Sequence, residues 1–228
     1  MSIVLAWDCS VSGLSIAVCA GDRAIAQVRQ EGRDQAASLF PAVADVLRAA
    51  GLERRDLTLL AVTVGPGSFT GVRLGLAAAR GLAVGLDLPL AGIATTSVLL
   101  AQAADRWPSR APQRLAIVDT RLGDWYCASD ATERPYLADT AHLVERFAGR
   151  PCRLLGTGAG RLAGELVAAG VAAEGEEALP DAAVLARLAL ARGEAAWRGE
   201  RQDQGLPRPL YLRGVNVTLP DGGRRTVE

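Results

Sequence analysis

Lysine is absent from the 228 residues, and all 25 basic side chains are arginine. That excludes a Schiff-base lysine and the lysine of a Walker-type phosphate loop. Histidine occurs once, at His142, so no metal site or mechanism that takes two imidazoles from one chain applies. Aromatic residues make up 4% of a chain that is half apolar, so the interior must be packed by Ala, Leu and Val around closely approaching backbones. The four cysteines, Cys9, Cys19, Cys127 and Cys152, show no C-x-x-C spacing, and all but the last sit in apolar strand-like runs. They read as free thiols in a reducing cytoplasm. Net charge is zero, so no overall field draws the chain onto a phosphate backbone, and nucleic acid is not its obvious direct ligand. The apolar stretch from Ser2 to Trp7 is cut short by Asp8 and has no basic lead, which predicts neither a signal peptide nor a membrane span.

What is present is an alternation of short apolar runs and helical periodicities, long enough for two small lobes. Ile3 to Trp7 reads as a buried strand ending at Asp8, and a small-residue turn leads to a second strand, Leu14 to Ala20. A third strand covers Ala24 to Gln30. A helix follows from Asp34 to Ala50, with Pro41 marking a kink or its true start. Leu57 to Val64 has the β-branched apolar composition of a central strand. It enters a glycine loop, then a helix over Val72–Leu86 and a strand over Leu88–Ile93, which is an α/β crossover unit.

After a Pro-rich linker at 106–112 the order of elements starts again. Leu115 to Val118 ends at Asp119, Trp125 to Ser129 returns as a strand, and Arg153 to Leu155 enters Gly156-Thr157-Gly158-Ala159-Gly160 ahead of a helix. The expected organisation is a first lobe at 1–105, a smaller second lobe at 106–204 whose last helix, from Pro180 to about Trp197, packs back on the first, and a flexible arm at 205–228. Repetition of element order implies a duplicated two-lobe α/β fold.

The loop Gly65-Pro66-Gly67-Ser68-Phe69-Thr70-Gly71 lies between a buried strand and a helix, a setting in which backbone N–H groups and a helix N-terminus favour a phosphate. Ser68 and Thr70 add hydroxyl donors, and Asp8 and Ser10 stand at the end of the neighbouring hairpin, where a carboxylate can hold magnesium through water. The same glycines also suit a tight strand-to-helix turn with close packing, and the loop alone leaves both readings open. Asp119, Arg121 and Asp124 read as solvated turn charges, with a charged cluster at a cleft the alternative; Gly156 to Gly160 read as a turn, with a vestigial second phosphate loop the alternative; and Glu174 to Glu177 read as a solvated loop.

Trp7-Asp8-Cys9-Ser10 in a hairpin, followed by Val64-Gly-Pro-Gly-Ser-Phe-Thr-Gly-Val-Arg-Leu-Gly75, resembles the TsaB family, once grouped with glycoprotease-like proteins. Asp119-Thr-Arg121 with Asp124-Trp-Tyr126, and Pro209-Leu-Tyr-Leu-Arg213, resemble its later motifs. The resemblance implies an actin/Hsp70-like, RNase H-like (ASKHA) two-lobe fold with mixed sheets flanked by helices. It also implies a non-catalytic subunit that supports the TsaD transferase in placing threonylcarbamoyl on the adenosine beside the tRNA anticodon, with TsaE as an ATPase partner and TsaC as the adenylate synthase. Binding to tRNA would be indirect, and self-association an alternative pairing. The catalytic relative's two metal-binding histidines have no counterpart here, where Asp34-Gln35-Ala36-Ala37-Ser38 occupies the region. No metal site and no stably bound cofactor are expected, with ATP or ADP and magnesium at the complex interface the one cofactor left open. The alternative reading is an ATP-dependent small-molecule kinase or ATPase on the same fold.

Counting about 100° per residue along the helix over Val72–Leu86 puts Gly71, Gly75, Ala79 and Ala83 on one ridge. Val72 and Leu76 flank it on one side and Leu82 on the other. A nearly all-apolar circumference predicts a second covering surface, and Val72, Gly75, Leu76, Ala79, Leu82 and Ala83 are the expected partner interface.

Overall fold

The computed structural model describes residues 2–32, 34–109, 112–129, 134–213, 215–218 and 224–227. Strands β1 (Ile3–Asp8), β2 (Leu14–Ala20) and β3 (Arg23–Gln30) form an antiparallel meander, and β4 (Leu59–Thr63) and β5 (Leu90–Ile93) join it in parallel, in the order β3-β2-β1-β4-β5. The second sheet consists of β6 (Gln113–Asp119), β7 (Trp125–Ala128), β8 (Tyr136–Ala138), β9 (Cys152–Thr157) and β10 (Ala173–Glu177), ordered β8-β7-β6-β9-β10 with the same senses of pairing. The two lobes are one topology used twice, as the element order predicts. Strand β4 is buried throughout, and β1 and β2 are buried except at Ile3 and Ala20, because helices cover both faces of the first sheet.

One face is covered by α1 (Gln35–Ala49) and α2 (Phe69–Gly85), which share a core with Leu5, Trp7, Ile16, Leu60 and Val62. The opposite face is covered by α6 (Ala182–Arg192) and by Trp197 of α7 (Glu194–Gln204). The expected final helix is thus two helices broken at Gly193, whose φ of 84° ends the first, and α6 lies on the first sheet. Helix α3 (Thr95–Arg106) joins the lobes: Val98 faces the first sheet, while Leu99 and Leu100 pack with Ala116, Val118 and Ala128 of the second. Helices α4 (Thr140–Arg146) and α5 (Ala159–Ala168) repeat the positions of α1 and α2 in the second lobe.

Three expectations are corrected. Pro41 does not start α1, which begins at Gln35 and contains it. The acidic run at 173–177 is an edge strand, paired in parallel with β9 and carrying ion pairs Arg153–Glu174 (3.0 Å) and Arg106–Glu176 (3.1 Å). Charges on such a strand blunt an exposed sheet edge. Residues 206–213, expected in a flexible arm, are seated on the first lobe. Leu206 and Leu210 pack against its core, Leu210 N donates to Val64 O at 2.7 Å, and Arg80 Nε donates to Pro207 O at 2.9 Å. Beyond them, β11 (Val215–Thr218) pairs with β12 (Arg224–Val227), and the remainder of the expected arm lies outside the described residues, as do 110 and 111 of the linker.

Candidate functional site

Asp8 ends β1 and is 2% exposed. Its Oδ1 accepts from Ser10 Oγ at 2.5 Å, Thr63 Oγ1 at 2.5 Å and Ser10 N at 3.1 Å. Burial pushes the carboxyl above its ordinary value, and those three donors pull it back down. Thr63 is the partner that the sequence reading missed. The parallel register of β1 and β4 pairs Trp7 with Val62, which sets Thr63 beside Asp8 at the strands' C-terminal ends. All three donors converge on Oδ1 and tie that oxygen to the turn and to β4.

The glycine loop is folded onto the β1–β2 turn. Ser68 N donates to Ser10 O at 2.7 Å, and Ser68 Oγ caps α2 by accepting from Gly71 N at 3.3 Å. A Cβ on Gly67 would fall 2.1 Å from Ser10 O, and one on Gly71 would fall 2.0 Å from Cys9 O. The glycines are thus required by backbone approach, and two of the loop's N–H donors are used internally. On the partner-facing residues the expectation is corrected: Val72, Gly75, Leu76, Ala79 and Ala83 are buried within the chain itself, as is Gly71 of the same ridge. The small-residue ridge lets α2 lie directly on β1, with Trp7 Nε1 donating to Gly75 O at 3.0 Å. Leu82 is half-buried against the same core.

Between the lobes lies a cleft of about 780 Å³, lined by Ser10, Gly67, Ser68, Thr70 and Gly71 on one side and by Asp119, Arg121, Thr157, Gly158 and Glu177 on the other. Asp119, the counterpart of Asp8, accepts from Arg161 Nη2 at 2.9 Å and from Arg121 N at 2.7 Å. Asp124 accepts from Thr120 and pairs with Arg213, so both hairpin carboxylates have partners within the fold. Gly158 N and Gly160 N, at the start of α5, donate to the Glu177 carboxylate at 2.8 Å and 3.2 Å. Gln35 donates its side-chain amide to the carbonyls of Val11 (3.0 Å) and Gly13, bracing the turn below the cleft. Among the described residues no three His, Cys, Asp or Glu side chains converge as a metal-ligand group, and no helix is long and apolar enough to cross a membrane.

A family model described as TsaD, tRNA N6-adenosine threonylcarbamoyltransferase, matches residues 29–187. The chain belongs to this family, in its TsaB group. The Escherichia coli K12 protein named tRNA threonylcarbamoyladenosine biosynthesis protein TsaB is 36% identical over 126 residues, covering 55% of this chain and 53% of that protein. The Bacillus subtilis protein of the same name is 34% identical over 43% of each chain. The chain thus spans about half the length of the curated relatives it matches. Among solved structures, YeaZ from Pseudomonas aeruginosa superposes with a TM-score of 0.71 at 29% identity, covering 93% of this chain and all of that one. EutJ from Carboxydothermus hydrogenoformans, at 12% identity and a TM-score of 0.50, shares the fold alone. The actin-like two-lobe architecture is therefore the fold of this TsaB-family chain.

The structure gathers Asp8, Ser10, Gly67, Ser68, Thr70 and Gly71 around one end of the cleft, with Gly65 behind them against Leu210 O. On the outer side of α2 it leaves Phe69 (47% exposed), Arg73, Ala77, Gly81 and Val84 (62% exposed) uncovered. These are the residues a helical-wheel count finds opposite the buried ridge. Arg73 lies 3.5 Å over the Phe69 ring and donates to Tyr211 Oη at 2.7 Å, joining α2 to the 206–213 segment.

Proposed function

We propose that the chain is the non-catalytic subunit of the assembly that makes N6-threonylcarbamoyladenosine beside the tRNA anticodon, supporting a TsaD transferase and enabling TsaE to join. Membership of the TsaB group supports the pathway. The observation that carries the non-catalytic part is the capping of Asp8 by Ser10 and Thr63. A kinase or ATPase on this fold needs a carboxylate free to act as base or to hold magnesium through water, and here the carboxylate is buried with its Oδ1 taken by three donors.

The partner surface in this reading is the uncovered side of α2, from Phe69 to Val84, continued by Tyr211. It carries exposed apolar area on a helix without a single acidic residue. A second copy of the chain is the alternative occupant. No cofactor is held stably by the chain alone in this reading, ATP or ADP with magnesium entering only at the interface of the assembled complex, and tRNA is contacted through the partner. Two measurements on the purified full chain test the proposal: co-purification with the TsaD homologue of the same organism, and ATP turnover by the chain alone. Stable association without turnover is expected. Steady turnover without the partner would replace this reading with the kinase or ATPase one.

A further inference from the structure

The actin-like fold implies a nucleotide between its lobes, and the residues of this cleft do not fit one. On the first-lobe side, the carbonyl of Ser10 and the hydroxyl of Ser68 already take the Ser68 and Gly71 N–H groups. On the second-lobe side, the N-terminus of the ten-residue helix α5 presents Gly158 N and Gly160 N, a pair of donors suited to an anion. An anion is present there, and it belongs to the chain: both donors go to the two oxygens of Glu177, at 2.8 Å and 3.2 Å. Glu177 ends the edge strand β10, where pairing with Gly156 fixes its backbone beside the loop. Arg161, the residue after Gly160, is taken by Asp119 and Glu165. Among the described residues, the charged side chains lining the cleft are Asp119 and Glu177 with Arg121, a balance that disfavours a phosphate chain.

We propose that Glu177 is a built-in anion that fills the second-lobe amide cradle and keeps phosphate groups out of the cleft. A tethered carboxylate competes at an effective concentration far above that of millimolar free phosphate, so the cradle is closed without any partner or regulator. The device accounts for a cleft that retains the glycine loop of a nucleotide-binding fold yet takes up the Ser68, Gly71, Gly158 and Gly160 N–H groups with its own acceptors. Glu177 is exposed, and removing its carboxylate leaves the core untouched.

The experiment is a titration of the full chain with inorganic phosphate, followed through the amide resonances of Gly158 and Gly160. Wild type, E177A and E177Q are compared, with circular dichroism verifying the fold of each. In E177A the two resonances should move saturably, with phosphate bound about fivefold or more tightly than by wild type. E177Q, equal in length and uncharged, should fall between them and carries the test if E177A does not fold. Equal phosphate affinity in wild type and the variants, or no response in any of them, would overturn the proposal.

Discussion

Trp7 donates its indole N–H to the carbonyl of Gly75, binding the first strand to the second helix across 68 positions of sequence. The contact exists because Gly71 lets the helix backbone rest on Cys9, whose carbonyl oxygen would lie 2.0 Å from a Cβ there, while a Cβ on Gly75 would fit tightly at 3.3 Å from the Cys9 side chain. Gly71→Ala should therefore destabilise the protein by about 3 kcal/mol through overpacking against backbone that cannot yield. Gly81→Ala, on the same helix with open space around it, should stabilise by about 0.5–1 kcal/mol through helix propensity. Urea unfolding of the two variants checks both, and similar effects from the pair would show that α2 does not lie as described.

Asp8 supplies a pH signature. Burial raises its folded-state pKa above the unfolded value, so the folded protein holds that proton more tightly than the unfolded chain. Its contribution to stability is complete below the unfolded pKa and is lost as pH rises through the folded one. Asp8→Asn is neutral throughout and keeps an acceptor for Ser10 and Thr63. The stability of the variant relative to wild type should rise across that window and then level off, as read from urea midpoints between about pH 3 and 8. A difference independent of pH would show that Asp8 does not titrate against its burial.

All four cysteines are buried and none is in a disulfide among the described residues. Burial pushes the thiols of Cys19 and Cys152 up to about 11, and that of Cys9 higher still. Since the thiolate is the reactive form, native protein at about pH 8 should not react with a thiol reagent, and labelling should track global unfolding. Labelling of one cysteine well ahead of unfolding would contradict the packing around it.

Helix α2 offers a paired test of buried ridge and open face. Ala79 is 0% exposed, whereas Ala77, two positions earlier, faces outward. Ala79→Glu should abolish folding, since it buries an unpaired charge. Ala77→Glu should fold normally and weaken association with the TsaD homologue at least tenfold, as measured by size-exclusion chromatography and calorimetry. Undiminished association of a folded Ala77→Glu variant would move the partner surface elsewhere.

The parts of the fold legible in the sequence were those where local pattern and burial agree. The β-branched run before Gly65, the hairpin at Asp8 and its echo at Asp119 each carry their own signal. Periodicity reports that a helix has an apolar face and not which sheet receives it, so the α2 ridge read as a docking surface instead of a floor for β1, whereas the return of the last helix to the first lobe was expected and is found. Strand β10 was illegible because an edge strand with alternating acids has no apolar face to betray it. Glu177 was missed for the same reason: its role depends on Gly158 and Gly160, separated from it by a whole helix. Thr63 carried a weak signal, a polar residue closing an otherwise apolar central strand.

The central claim is that the chain supports tRNA threonylcarbamoylation through a partner without doing chemistry itself. The direct measurement is reconstitution of that modification from the TsaD and TsaE homologues and the adenylate synthase, with and without this chain, using wild type and Asp8→Asn. Modified tRNA should form when either version is present and fall to background when the chain is omitted. Full modification without the chain, or loss of modification by several orders of magnitude with Asp8→Asn in an intact complex, would contradict the claim.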